Sequence, residues 1–117
     1  IYLRVLGQAC LKRNKLRWAE TLANRSLELL STDKYGIKLK INVLKRLEKF
    51  EEAIQYGKSA VEQVPDVLDV RELLIDLYIQ INDINNAEKE LESAIKKFGD
   101  KEALLTLKNK LVEKKGN

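Results

Sequence analysis

Apolar residues recur at spacings of three and four along nearly the whole chain, with charged and amide side chains between them, and strand-like alternation is scarce. That spacing places the apolar positions on one face of a helix, so it predicts an all-α protein. Across residues 34–67 the pattern splits into two helices, about 34 to 47 and 50 to 64, joined by a tight turn near RLEKF. Pro65 ends the second of them because it cannot continue the hydrogen-bond ladder, and Asp66 begins the next approach. Farther on, QINDINN supplies a turn in which Asn82 and Asp83 provide turn and capping chemistry before NAEKELESAIKKF; Gly99 is the stop after Phe98. Earlier in the chain the turn falls at KRNKL and the stop near STDK, and a seventh helix, KEALLTLKNKLVEKK, closes the sequence.

A shift of 34 residues superimposes these segments. Ala19, Ala53 and Ala87 fall in register, as do the small residues Ser26, Ala60 and Ala94. Large apolar residues align too: Leu16, Phe50 and Ile84; Leu27, Val61 and Ile95; Leu30, Val64 and Phe98; Cys10, Leu44 and Tyr78. The two small columns lie seven residues apart, on one helix face, where a neighbouring backbone can approach closely. A single helix pair cannot bury its apolar face, so successive pairs cover one another and the last needs a helix with a polar outer side. The chain is read as one domain over 1–117, with repeats of about 1–33, 34–67 and 68–101 and a capping helix at about 102–115. In that cap Leu104, Leu105, Leu107 and Leu111 are expected to face inward and Lys108, Lys110, Glu113 and Lys114 to stay wet.

A 34-residue helix-turn-helix with these columns resembles the tetratricopeptide repeat family. Leu44, Phe50, Ala53, Ile54, Ala60 and Pro65 stand where the family pattern has a large residue, an aromatic, alanine, an aliphatic, alanine and proline. Leu74, Tyr78, Ala87, Leu91 and Ala94 repeat it, and Leu6 with Gly7 matches the family's Leu-Gly pair. Ile41 and Ile75 depart from it at the Gly7 column, as do Gly57 and Ala23 where a bulky side chain is usual. Gly57 in mid-helix is expected to cost about 1 kcal/mol relative to alanine.

The resemblance implies a right-handed α-solenoid of antiparallel helix pairs, about seven helices in all, whose concave wall comes from the first helix of each pair and binds an extended segment or helix of a partner protein. On that wall the groove-facing side chains would be Arg4 and Gln8; Tyr35, Lys38, Asn42 and Lys45; and Glu72, Asp76 and Ile79. Arg4/Gln8, Lys38/Asn42 and Glu72/Asp76 are i, i+4 pairs at the 34-residue shift, so each pair shares a face. One subtype of the family clamps a partner's C-terminal carboxylate. Leu39, Asp69 and Leu73 stand where it needs an amide and two cations, so the wall predicts a partner of mixed charge instead.

Composition narrows the function classes. The chain has no histidine, which removes the usual general base and the commonest transition-metal ligand, and no nucleophile motif, glycine loop or metal constellation. The expectation is a non-catalytic scaffold without metal or cofactor. Cys10, the one cysteine, sits at an apolar helical position and reads as a buried structural thiol. No apolar run is long enough to cross a bilayer and no secretory leader is visible, which predicts a cytoplasmic, non-inserting domain. Because the sequence opens on Ile1 inside an apolar-periodic stretch, it is read as a fragment of a longer chain, in a bacterial-type assembly by analogy of fold.

The net charge of +4 is unevenly spread: 12 Lys/Arg against 4 Asp/Glu over residues 1–50, 5 against 12 over 51–100, and 5 against 2 thereafter. Such polarity permits head-to-tail self-association. Basic turns at KRNKLR and KRLEK raise a nucleic-acid footprint as the alternative, but they lack stacking aromatics and phosphate-cradling glycines. Trp18 is expected on the outer helix of the first pair, as a secondary contact covering an upstream helix, serving self-association, or folding onto Arg17 or Arg25.

Overall fold

The computed structural model describes residues 2–116, with side chains described from residue 5 onward. Among these residues there are seven helices and no strand: α1 (Tyr2–Lys12), α2 (Leu16–Leu29), α3 (Lys34–Arg46), α4 (Phe50–Gln63), α5 (Leu68–Gln80), α6 (Ile84–Phe98) and α7 (Glu102–Gly116). α4 stops one residue before its expected end. Val64 precedes Pro65, whose ring disfavours helical backbone in the residue before it, and Val64 has φ −128° and ψ 66°.

The first helix of each pair ends by one device, repeated at the 34-residue spacing. Asn14, Glu48 and Asn82 all adopt left-handed backbone, with φ of 62°, 61° and 64°. The amide of the following residue then donates five residues back: Lys15 to the Cys10 carbonyl, Lys49 to that of Leu44 and Asp83 to that of Tyr78, at 2.8, 2.9 and 2.8 Å. These bonds satisfy carbonyls that a helix end otherwise leaves free. Asparagine enters this conformation readily, whereas Glu48 does so against a steric cost of roughly 1–2 kcal/mol.

The residue that completes each turn also starts the next helix, and here the copies differ. Asp83 (φ −90°, ψ 76°) accepts from the Asn86 amide as a true N-cap, while Lys15 holds nearly the same backbone (φ −89°, ψ 71°) and makes no side-chain cap. A lysine also puts positive charge at the positive end of the helix dipole. Lys15→Asp is therefore expected to stabilise the protein by about 0.5–2 kcal/mol. Urea unfolding would show this as a higher midpoint at unchanged slope.

Each helix packs on the next in sequence. The odd-numbered helices also touch one another in succession, α1 with α3, α3 with α5 and α5 with α7, whereas among the described residues no even-numbered helix touches another. The odd helices thus form the inner rank of a curved stack and the even helices the outer rank. The extents, 41 × 28 × 22 Å, are those of a short solenoid. Small side chains set its spacing: Ala19, Ala53 and Ala87 are 0 % exposed, and Ser26, Ala60 and Ala94 are buried with them.

Gly57 lies in close contact with α5. A Cβ there would stand 3.2 Å from Leu74 Cδ1, tighter than ordinary van der Waals contact, so Leu74 would have to give by a few tenths of an ångström to admit it. The glycine is the notch into which α5 presses Leu74. Gly7 is closer still, with its would-be Cβ 2.5 Å from Leu39 Cδ2.

One apolar core runs from Ile37 to Leu111, and a smaller cluster of Leu11, Ala19, Ala23, Leu39 and Val43 ties in the first pair. In α7, Leu104, Leu107 and Leu111 are buried, but Leu105, expected inward, is 41 % exposed. Three leucines at spacings of three and four already fill the contact stripe, and Leu105 is turned about 100° from Leu104. Arg71 is the buried charge of the core. Its Nε donates to the Pro65 carbonyl at 3.2 Å, its guanidinium donates to Ser93 Oγ at 3.2 Å, and it lies 5.7 Å from the Phe98 ring centre. It ties the α4–α5 turn to α6.

Candidate functional site

The inner rank carries a solvent-open groove of about 440 Å³ between α3, α5 and α7. α5 supplies Asp69, Glu72, Leu73 and Asp76, which share a face at helical spacing; α3 supplies Lys38, and α7 supplies Ala103, Thr106, Leu107 and Lys110. Leu73, Leu107 and Ala103 give the groove an apolar floor between charged rows.

Those charges are matched to one another across the helices. Lys38 Nζ lies 3.1 Å from Asp69, Lys45 Nζ lies 3.1 Å from Asp76, and Lys110 Nζ reaches the other Asp76 oxygen at 3.5 Å. All are partly exposed, so each pair contributes only about 0.2–1 kcal/mol, but together they align three successive inner helices. Glu72 is different. Among the described residues it has neither a hydrogen bond nor an ion pair. Partial burial, with the neighbouring Asp69 carboxylate, raises its pKa above the usual glutamate range, and Lys38 offsets only part of this.

The residues singled out in the sequence are distributed as follows. Lys38, Glu72 and Asp76 line the groove, and Lys45 adjoins it through Asp76. Gln8, Tyr35 and Asn42 lie on the inner helices outside it, Tyr35 with Lys34 Nζ 5.1 Å from its ring centre. The side chain of Arg4 lies outside the described residues. Ile79 is a correction: it is 5 % exposed and belongs to the core. α5 is flanked by α3, α4, α6 and α7, so only its Asp69-Glu72-Asp76 face stays open.

Sequence reasoning missed α7 as a wall of the groove. The signal existed, because a 34-residue step from Asp69, Glu72, Leu73 and Asp76 lands on Ala103, Thr106, Leu107 and Lys110. α7 packs on α6 and α5 as an inner helix packs on the pair before it, so it adds lining as well as cover.

Trp18 is 65 % exposed, beside Arg17 and Thr21 in a shallow hollow, and no described cation stacks on its ring. The second basic turn is drawn into the fold, whereas Lys12, Arg13, Lys15 and Arg17 of the first are exposed and make no ion pair among the described residues. Arg46 donates to the Leu11 carbonyl and to Asn14 Oδ1, both at 3.3 Å, and Lys49 pairs with Glu20 at 3.4 Å. Cys10 is a half-buried free thiol. Among the described residues no group of three potential metal ligands is assembled, and no helix is long and apolar enough to cross a membrane.

Comparison with known proteins agrees with the helix pairs. A sequence profile described as tetratricopeptide repeat matches residues 45–111. No curated protein matches the sequence significantly. Among solved structures, a tetratricopeptide repeat protein from Parabacteroides merdae superimposes with a TM-score of 0.85 at 17 % identity, over 98 % of this chain and 45 % of its own. The present chain therefore spans under half the length of that protein. The TPR2B domain of yeast Sti1, solved as a pHsp70 complex, gives 0.84 at 15 % identity over 98 % of this chain and 94 % of that one. The second TPR domain of human RPAP3, in complex with the HSP70 peptide SGPTIEEVD, gives 0.78 at 14 % identity over 97 % and 92 %. With the profile covering more than half of its residues and the fold shared with these structures, the chain belongs to the tetratricopeptide repeat family.

Proposed function

We propose that this protein is a non-catalytic interaction scaffold that holds a peptide or helix of a partner protein in the groove between α3, α5 and α7. The observation that carries the reading is the groove itself, open to solvent, apolar along its floor and edged by both signs of charge. Its volume lies within the range of about 300–1,000 Å³ in which proteins take up small ligands or single side-chain clusters of a partner. The yeast and human neighbours were solved with Hsp70 partners, which supports the same use of a similar fold here. We take residues 1–117 as one such binding domain, with Lys38, Glu72 and Asp76 at its centre and Lys45 and Lys110 at its edge.

Of the basic residues behind the nucleic-acid reading, Arg46, Lys45 and Lys49 are engaged within the fold, which leaves Lys12, Arg13, Lys15 and Arg17 as a smaller exposed cluster outside the groove. The test is a screen of a displayed peptide library on the wild-type chain, followed by affinity measurement on Ala103→Trp. Ala103 is exposed at the groove, so a tryptophan there fills the space while stability moves within about ±0.5 kcal/mol. Selected peptides are expected to lose at least roughly tenfold in affinity, the effect of about 1.4 kcal/mol. Undiminished binding would place the partner elsewhere.

A further inference from the structure

We infer that the groove selects partner segments carrying a lysine or arginine, whose cation docks on the Glu72 carboxylate while its aliphatic stem lies on Leu73 and Leu107. This deepens the peptide-binding proposal above and rests on it. Charges from three helices face the groove. From α3 come Lys38 and Lys45, from α5 Asp69, Glu72 and Asp76, and from α7 Lys110. Lys38 is joined to Asp69, and Asp76 to both Lys45 and Lys110. Glu72, between those two linked rows, makes no ion pair among the described residues, and Lys38 offsets only part of the burial and Asp69 repulsion that act on it.

A charge left without a partner in a half-buried hollow is held at a cost that an arriving cation removes. Burial and the Asp69 carboxylate both disfavour its ionised form, which marks the same deficit. The surroundings fit a long basic side chain in particular. Lysine and arginine cover apolar surface with their stems while presenting a charged head, and the floor here offers Leu73, Leu107 and Ala103 beside the carboxylate. Arginine can in addition present a two-pronged donor to both carboxylate oxygens. An acidic segment meets the opposite situation: Asp69, Glu72 and Asp76 stand along one face of α5, and the lysines that would receive it are already paired. Like charges brought together in this way reject the wrong partner.

The experiment is a positional-scanning peptide array read with the full 117-residue chain. The best binder, and its counterpart with glutamate at each basic position, are then titrated by fluorescence anisotropy against wild type, Glu72→Gln and Ala103→Trp. The expected result is a lysine or arginine preference at one position, no binding of the glutamate counterpart, and a loss of about tenfold or more on Glu72→Gln, in line with removal of a charged hydrogen bond. The melting temperature of Glu72→Gln is expected to be unchanged or higher, which separates lost recognition from lost folding. Peptides without basic preference, or full affinity in Glu72→Gln while Ala103→Trp abolishes binding, overturn the cation inference and leave the groove as the site. Binding untouched by either variant, or an array with no binder, overturns both.

Discussion

Leu74→Ala is expected to destabilise the protein by about 2–5 kcal/mol, a large share of the roughly 5–15 kcal/mol that holds a typical domain folded. Leu74 is fully buried in α5, the helix that touches α3, α4, α6 and α7, and its Cδ1 fills the notch that Gly57 leaves in α4. Removing the isopropyl group would leave both the lost contacts and an unfilled space, because alanine cannot reach the glycine and two helix backbones would have to move together to close the gap. Equilibrium urea unfolding followed by far-ultraviolet circular dichroism checks this. A loss below about 1 kcal/mol, the central value for point substitutions generally, would mean that Leu74 does not seat α5 on α4.

The second large effect is the reverse operation. Ala87→Leu adds three carbons to a position with no exposed surface on α6, which packs between α5 and α7. Overpacking of this kind costs about 1–3 kcal/mol and sometimes more, since neighbours must leave their rotamers or the helices must separate. Here separation has a further consequence. α7 is positioned by α6 and α5 and carries one wall of the groove, so a displaced α6 shifts Leu107 and Lys110 away from Leu73 and Asp76. Ala87→Leu should therefore weaken peptide binding as well as stability, whereas Ala87→Ser, nearly the same in size and matching the serine found in the other small column, should preserve more of both. Thermal melts and peptide titrations on the two variants provide the comparison. Equal stability of Ala87→Leu and wild type would contradict the role given to the small residues.

Much of the architecture could be read from the chain because a repeat announces itself several times over. Ala19, Ala53 and Ala87 repeat a constraint that one alanine could not have revealed, and Asn14, Glu48 and Asn82 mark the same left-handed turn although only two of them are residues usual for it. The site was less legible. Lys38–Asp69 and Lys45–Asp76 join positions 31 apart, a separation set by how adjacent inner helices slide and tilt against each other rather than by the 34-residue period. Whether a charge on an exposed-looking face has a partner depends on that offset, so the lack of an ion pair at Glu72 could not be anticipated.

Ile79 was misplaced for a related reason. Its column suggested the wall, but α5 has neighbours on nearly every side and its open face is narrower than that of a terminal helix. α7 is legible in the sequence as a capping helix, but its part in the groove wall is not. Its match to the preceding inner helix lies in Ala103, Thr106, Leu107 and Lys110, positions whose residue types differ from those one period earlier at three of the four places. Arg71 was hidden because a buried arginine bonded to a carbonyl and a hydroxyl looks, in sequence, like any helical surface charge.

The central claim is that partners are held on the inner rank of helices, and backbone amide chemical-shift mapping of the labelled protein during titration with an array-selected peptide tests it most directly. The largest changes are expected at Lys38, Glu72, Leu73, Asp76, Thr106 and Lys110, fading across α2, α4 and α6. Changes concentrated on those outer helices or around Trp18, with the α5 and α7 groove residues unmoved, would contradict it.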